Sequence, residues 1–136
     1  MLQAWVMLAL SGALMATAAS AEVRRESVTL AGRQVTLHLH SFLTEDERTT
    51  LQLVMTNAQA LAVLAPAGAS AKDYTALALS PDEGFIREGA PVNSAQALSG
   101  LADPTTARSA AEAECNRRRA KGAAACVTVL EVGPAG

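Results

Sequence analysis

The sequence predicts an α+β fold in which an N-terminal β-hairpin and an amphipathic helix precede a β-β-α-β unit with one disulfide. Three observations lead to this class. Apolar residues alternate along residues 28–39, and a helix-capping motif precedes apolar residues at helical spacing. The only two cysteines, Cys115 and Cys126, stand where a predicted helix ends and a predicted strand begins.

The first 21 residues predict a signal peptide. No charged side chain occurs from Leu2 to Ala21, and the apolar run ends in Ala19-Ser20-Ala21, the A-x-A pattern that a signal peptidase reads. The mature chain is then expected to start at Glu22 and to be periplasmic or secreted. The leader departs from the usual pattern in that no Lys or Arg precedes the apolar run. Since an uncharged stretch of about twenty residues can span a bilayer, the alternative is an uncleaved leader that anchors an accessory subunit in the membrane.

Residues 22–136 are predicted to form a single small α+β domain. A linker rich in Ala, Pro, Gly and Ser, residues 65–72, separates a hairpin-plus-helix half (22–64) from the β-β-α-β half (73–136). The full chain has 11 basic and 13 acidic residues, a net charge of −2. This balance favours neither nucleic acid nor, once the leader is cleaved, a membrane surface as partner.

The hairpin of the first half is expected to turn at Ala31-Gly32. A two-residue loop there places Val28 opposite Val35, so that apolar residues face one another across the strands. The same register gives the hairpin one apolar face and one polar face.

A helix is predicted from Glu45 to Leu64. Thr44 and Glu47 have the spacing of a capping box, and Pro66 stops the helix. The apolar stripe that begins at Leu51 is expected to pack on the protein's own sheet, because the opposite face lacks the Lys and Arg residues of a membrane-surface helix.

The second half is predicted to begin with a strand over 74–80, a turn over 80–84 and a paired return strand over 85–87. A long connection, 88–102, then leads to a helix that starts at Asp103-Pro104. Gly122 is expected to follow the end of this helix, and the last strand is predicted over 126–132.

The two cysteines predict a disulfide. An even cysteine count in an exported chain indicates oxidation. Cys115 shares a helix face with Ala107 and Ala111, so the bond is expected to fasten the helix where it packs on the sheet. Few aromatic residues follow the leader, and the disulfide is expected to stabilise a thin core by about 2.8 kcal/mol.

Most of the predicted domain resembles a family of small secreted bacterial domains of unknown function. The resemblance rests on the motif Y-x-A-x-A-x-S-P-D-x-G, residues 74–84, followed by an alanine-rich helix and the cysteine pair. It covers residues 43–132, and the helical stretch 43–48 is similar to exported proteins of this kind in alphaproteobacteria. Some relatives are labelled 5-aminolevulinate synthase, an enzyme that needs a Schiff-base lysine in a much larger chain, whereas residues 22–136 contain only Lys72 and Lys121.

Two sets of side chains are candidates for chemistry. His38 and His40 alternate on one strand and are candidate ligands for zinc or copper, with a plain solvated face as the alternative. Asp82 and Glu83 in the turn, with Glu88 after it, are candidates for acid/base work, although acids also favour turns without any catalytic role.

A third set is cationic: Arg117, Arg118, Arg119 and Lys121 at the end of the last helix. These residues are candidates for binding an anionic partner, and the helix dipole is the alternative reason for their position.

The sequence contains no nucleophile elbow, phosphate loop, dinucleotide motif or CxxC pair, and it predicts no cofactor and no assigned catalytic residue. We therefore expect an exported, non-enzymatic accessory or binding module that docks on an envelope protein. The alternative is a small hydrolase or metal-dependent enzyme that uses His38, His40 and the acids around Asp82.

Overall fold

The computed structural model describes residues 23–66 and 72–135. The predicted signal peptide and residues 67–71 of the predicted linker lie outside the described residues. The described elements, in chain order, are β1 (Arg24–Leu30), β2 (Arg33–Leu39), α1 (Glu45–Val54), α2 (Ala58–Leu64), β3 (Tyr74–Leu79), β4 (Ile86–Arg87), β5 (Ala90–Pro91), β6 (Gln96–Leu101), α3 (Pro104–Arg118) and β7 (Val127–Pro134).

Five of the strands form one antiparallel sheet in the order β1-β2-β7-β3-β6. The α+β class is confirmed, and β3, β6, α3 and β7 form the β-β-α-β unit. The last strand, β7, lies between β2 of the first half and β3 of the second. The two halves of the chain therefore share one sheet.

The partner of β3 differs from the prediction. Residues 85–87 were expected to return alongside β3, but β4 pairs with β5 in a separate two-stranded hairpin. The turn between them passes through Glu88 and Gly89, both with positive φ, which reverses the chain too early for β4 to reach β3. β6 takes that place, within what was predicted to be a connection.

The N-terminal hairpin has the predicted register, with Val28 opposite Val35. Ala31 and Gly32 have φ values of 52° and 73°, as a two-residue type I′ turn requires. β1 and β2 therefore share the twist of the sheet they join.

The predicted capping box is present at the start of α1. The Glu47 N–H donates to Thr44 Oγ1 at 3.2 Å, and the Thr44 N–H donates to Glu47 Oε1 at 3.0 Å. The prediction of one continuous helix to Leu64 is wrong, because Asn57 is extended and begins a second helix. Its Oδ1 accepts from the N–H groups of Gln59 and Ala60 at 2.9 and 3.0 Å.

The helices α1 and α2 pack on one face of the sheet. The predicted burial of the stripe is confirmed for Leu51, Val54, Met55 and Leu61, which pack against the alternating apolar residues of β2, β3 and β7. Ala58 and Ala62, at the same helical spacing, are exposed on α2, which starts after the break at Asn57. The largest fully buried side chains of this core are Leu37, Leu51, Leu61, Leu77, Leu79 and Leu130.

The helix α3 packs on the other face, against β3, β6 and β7. Its buried residues are small, with Ala107 and Ala111 against Ala76 and Ala78. The predicted disulfide between Cys115 and Cys126 is present, with a Cα–Cα distance of 6.0 Å. Within the described ranges, no helix is long and apolar enough to cross a membrane.

Candidate functional site

A groove lies on the α3 face of the sheet, beside the helix. Because α3 covers β3, β6 and part of β7, the polar side chains of β1 and β2 border open space on this face. Two adjoining cavities of about 330 and 440 Å³ share Arg25, Arg108 and Glu131 in their linings. We refer to them together as the groove. Its charged side chains and histidines are Arg25, His38, His40, Arg108, Glu112 and Glu131, and its other polar side chains are Gln34, Thr36, Tyr74, Thr75 and Thr128.

Glu131 of β7 lies at the centre of the groove. Its Oε2 accepts a hydrogen bond from His38 Nε2 at 2.6 Å, and its Oε1 accepts one from Arg108 Nη1 at 2.6 Å. Burial opposes ionisation, but these donors outweigh it and lower the pKa of Glu131. The floor of the groove is therefore an ionised carboxylate with both oxygens occupied.

Strand register explains why these side chains meet. Glu131 is opposite Thr36 on β2 and Ala76 on β3, and Ala76 packs against α3. Residues that alternate with Thr36 share its face, which places His38 on the same side as Glu131. Arg108 follows the buried Ala107 on α3 and reaches over the sheet to the same carboxylate.

His40 occupies the far end of the groove. Its Nε2 donates to the Thr128 carbonyl at 3.3 Å, and its ring stacks on Phe42 with centroids 5.2 Å apart. Burial lowers the pKa of His40 below its ordinary value of 6.5; the Thr128 bond acts in the opposite direction, and nearby His38 lowers it further. His40 is therefore neutral at pH 7.

Two charged groups that line the groove, the Glu112 carboxylate and the Arg25 guanidinium, have no counter-charge among the described residues. Glu112 of α3 accepts the Thr128 N–H at 3.2 Å and the Thr128 hydroxyl at 2.8 Å, both through Oε1. Within residues 23–66 and 72–135, its Oε2 has no partner. Arg25 of β1 is exposed, and it forms no ion pair in the described part of the chain.

At the other end of the groove, the ring of Tyr74 packs over Gly133. Tyr74 is the cross-strand neighbour of Gly133, and a Cβ placed on Gly133 would come within 2.6 Å of Tyr74 Cε1. Any larger residue at position 133 would push this ring from the sheet.

The predicted histidine pair lies in the groove, and each ring is held by a protein acceptor. The described residues include no group of three His, Cys, Asp or Glu side chains arranged to hold a metal ion. The metal site therefore stays a prediction that rests on His38 and His40 alone.

The predicted turn acids are placed elsewhere. Asp82 Oδ2 accepts the Ala124 N–H at 2.7 Å, and Glu83 Oε1 accepts the Ala120 N–H at 3.2 Å. These two carboxylates fix the segment before β7, and neither lines the groove. Glu88 is exposed in the turn of the small hairpin, at φ 54°.

The predicted cationic set lies at the end of α3 and is largely engaged within the chain. Arg117 and Arg118 bind Glu114 at 2.6 and 2.7 Å, and they lower the pKa of Glu114 to about 2. Arg119 donates to the Ala123 carbonyl, and Lys121 is exposed. Anion binding by this set stays a prediction.

Sequence reasoning missed Arg25, Arg108, Glu112 and Glu131. One signal was available: Glu131 is the only charged residue of β7, a strand that is otherwise apolar or neutral. A carboxylate in such a strand indicates a buried partner or a site. Arg108 and Glu112 are also four residues apart, immediately beside the alanine stripe that packs α3 on the sheet.

The groove is thus built from both halves of the chain, from β1, β2, β7 and α3. On its floor, Glu131 is hydrogen-bonded to both His38 and Arg108. Arg25 on β1 and Glu112 on α3 add one cation and one carboxylate at its sides. Comparisons of this chain with protein-family models, with curated proteins and with solved structures return no match.

Proposed function

We propose that the chain is an exported, non-enzymatic binding module of the bacterial cell envelope, and that it binds its partner in the groove. The observation that carries the proposal is the chain His38–Glu131–Arg108, in which one carboxylate accepts two bonds of 2.6 Å. Such a network fixes the side chains before a ligand arrives, which lowers the entropy cost of binding.

Support for export comes from the sequence and the cysteines. The leader has the pattern of a signal peptide, and the disulfide is compatible with an oxidising compartment. The resemblance to small secreted bacterial domains points to the same compartment.

Binding is favoured over catalysis because the groove does not assemble a nucleophile and its base. In the described part of the chain, no Ser or Thr hydroxyl bonds to either histidine. The Ser27 and Thr36 hydroxyls bond to one another at 3.0 Å, and the Thr128 hydroxyl donates to Glu112 at 2.8 Å. Nucleophilic catalysis requires a nucleophile within hydrogen-bond distance of its base, and a base alone does not meet this requirement.

Hydrogen–deuterium exchange in periplasmic extract tests the proposal. The extract is divided by size into a protein fraction and a small-molecule fraction, and each is added to the purified chain. We expect one fraction to slow exchange in β1, β2 and β7, and Glu131→Ala to abolish that protection. Unchanged exchange in these strands with both fractions would refute the proposal.

One observation supports a small hydrolase or metal-dependent enzyme as the second candidate. The His38 ring is oriented by Glu131, as a catalytic base is oriented by a carboxylate. Metal analysis of the purified protein decides this candidate. Stoichiometric zinc or copper that is lost on changing His38 and His40 to Ala would favour the enzyme.

A further inference from the structure

We infer that the groove takes a small zwitterion of the amino-acid or short-peptide class, a ligand with one carboxylate and one ammonium group. This inference rests on the proposed function and names the ligand for the same groove. It follows from which charges in the groove are compensated and which are not.

The floor of the groove presents no free charge to a ligand. Both oxygens of Glu131 are occupied, one by Arg108 and one by His38. Arg108 is offset by the carboxylate that it binds, and its Nη2 also donates to Thr105 Oγ1 at 3.3 Å. His40 is neutral at pH 7, with its Nε2 on the Thr128 carbonyl.

The walls of the groove present two free charges of opposite sign. The guanidinium of Arg25 stands on β1 without an ion-pair partner among the described residues. Glu112 stands on α3, where two bonds from Thr128 hold Oε1 and leave Oε2 open. Both residues line the same cavity of about 440 Å³, yet they do not form an ion pair with one another.

A ligand with a single charge would satisfy only one of these walls. An anion would bind Arg25 and place its charge in the field of Glu112, whereas a cation would do the reverse. A zwitterion compensates both charges, because its carboxylate binds the planar donors of Arg25 and its ammonium donates to Glu112 Oε2. The depression between Arg25 and Glu112 is open, so a small ligand has access to both charges.

Titration of the ¹⁵N-labelled protein with matched probes tests the inference. The zwitterions are glycine, diglycine and triglycine, which separate the two charges by increasing distances. The single-charge probes are acetate and methylammonium at the same ionic strength. We expect at least one zwitterion to shift the amide signals of Thr128 and its groove neighbours saturably, about tenfold more tightly than either single-charge probe.

Matched substitutions identify the two charged walls. Arg25→Gln and Glu112→Gln are each expected to weaken zwitterion binding about tenfold. Glutamine at position 112 keeps an oxygen for Thr128, so the fold is preserved. The controls are Arg24→Gln, at the residue before Arg25 on β1, and Glu114→Gln, two residues after Glu112 on α3. Neither residue lines the groove, so neither substitution is expected to alter zwitterion binding.

Several results would overturn the inference. Acetate or methylammonium that binds as tightly as every zwitterion would show a site for one charge only. An unchanged zwitterion affinity in Glu112→Gln would show that Glu112 does not bind the ammonium group. If no probe shifts the groove signals while extract still protects β1, β2 and β7 from exchange, the inference fails and the proposed function stands. If that protection is also absent, both fail.

Discussion

At the scale of single residues, Glu47 is the buried charge that connects α1 to the β4–β5 hairpin. Its carboxylate is 0% exposed and accepts the N–H groups of Thr44 at 3.0 Å, of Ile86 at 2.9 Å and of Phe85. Arg87 Nη2 donates to it at 3.3 Å. One buried group thus caps its own helix and fastens the small β4–β5 hairpin to it.

Replacing this carboxylate tests its role. We expect Glu47→Gln to lower the free energy of unfolding by about 2–4 kcal/mol, because an amide cannot accept all of these bonds and leaves Arg87 without its counter-charge. Urea denaturation measures the change. Glu45→Gln, an exposed acid in the same first turn, is the control, and an equal loss in both variants would contradict this role for Glu47.

The pH dependence of stability provides a second test of Glu47. Burial acts to raise its pKa, but the N–H donors and Arg87 outweigh burial and lower the pKa below its ordinary value of 4.5. A depressed carboxyl pKa stabilises the fold fully above the unfolded-state value, and this contribution is lost as pH falls through the folded-state value. We expect the wild type to lose more stability than Glu47→Gln between neutral pH and acid below pH 4.5. Parallel curves would contradict the assignment.

The contact between Glu47 and Arg87 leaves no space for a side chain at Gly84. Gly84 has φ +73°, and a Cβ there would lie 2.5 Å from Glu47 Oε2 and collide with the Arg87 guanidinium. We expect Gly84→Ala to cost more than the roughly 1 kcal/mol of left-handed strain alone. Gly89→Ala is a matched control, because Gly89 has φ +74° and nothing within 4 Å of the added Cβ. Equal losses in thermal or urea unfolding would refute the steric argument.

At the scale of elements, the disulfide fastens the last turn of α3 to the strand that begins at Val127. The bond connects residues 11 positions apart, and its closed loop is expected to stabilise the fold by about 2.8 kcal/mol. We expect a Cys115→Ala, Cys126→Ala variant to lose about this amount in urea denaturation. Addition of reductant should destabilise the wild type and leave the variant unchanged. An unchanged midpoint for the wild type in reductant would contradict the prediction.

Elements with strong local signals could be predicted from the sequence. The register of the β1–β2 hairpin follows from two-residue alternation, and the start of α1 follows from the capping box. The break at Asn57 was missed because the apolar stripe continues across it at helical spacing, and only the Asn57 side chain distinguishes a new cap from a helical position. β6 was missed because Ser99 and Gly100 interrupt its pattern, and its partner β3 comes from earlier in the chain.

At the scale of the whole molecule, the groove exists only after the sheet has formed. Arg25 and Glu131 are more than a hundred positions apart, and they line the same groove because β7 inserts between β2 and β3. The sequence showed His38 and His40 because they are close together and chemically distinctive. It did not show that His38 meets Glu131 and His40 the Thr128 carbonyl, since these partners are set by strand order rather than by spacing.

The insertion of β7 also has a consequence for folding. β1 and β2 contribute only one strand pair by themselves, and a two-stranded hairpin is marginally stable in water. Their attachment to the rest of the sheet depends on β7, which pairs with β2 from Arg33 to Leu37. The groove and the cooperative sheet are therefore completed by the same strand.

Processing of the leader is the prediction that concerns the whole chain and its compartment. We expect the exported protein to begin at Glu22, two residues before β1, and to contain no free thiol. Intact-protein mass and a thiol count under denaturing conditions measure both properties. A mass that retains Met1 would favour the membrane-anchored alternative, whereas two free thiols would place the chain in a reducing compartment. The two measurements are independent, because cleavage reports the fate of the leader while the thiols report where the chain folded.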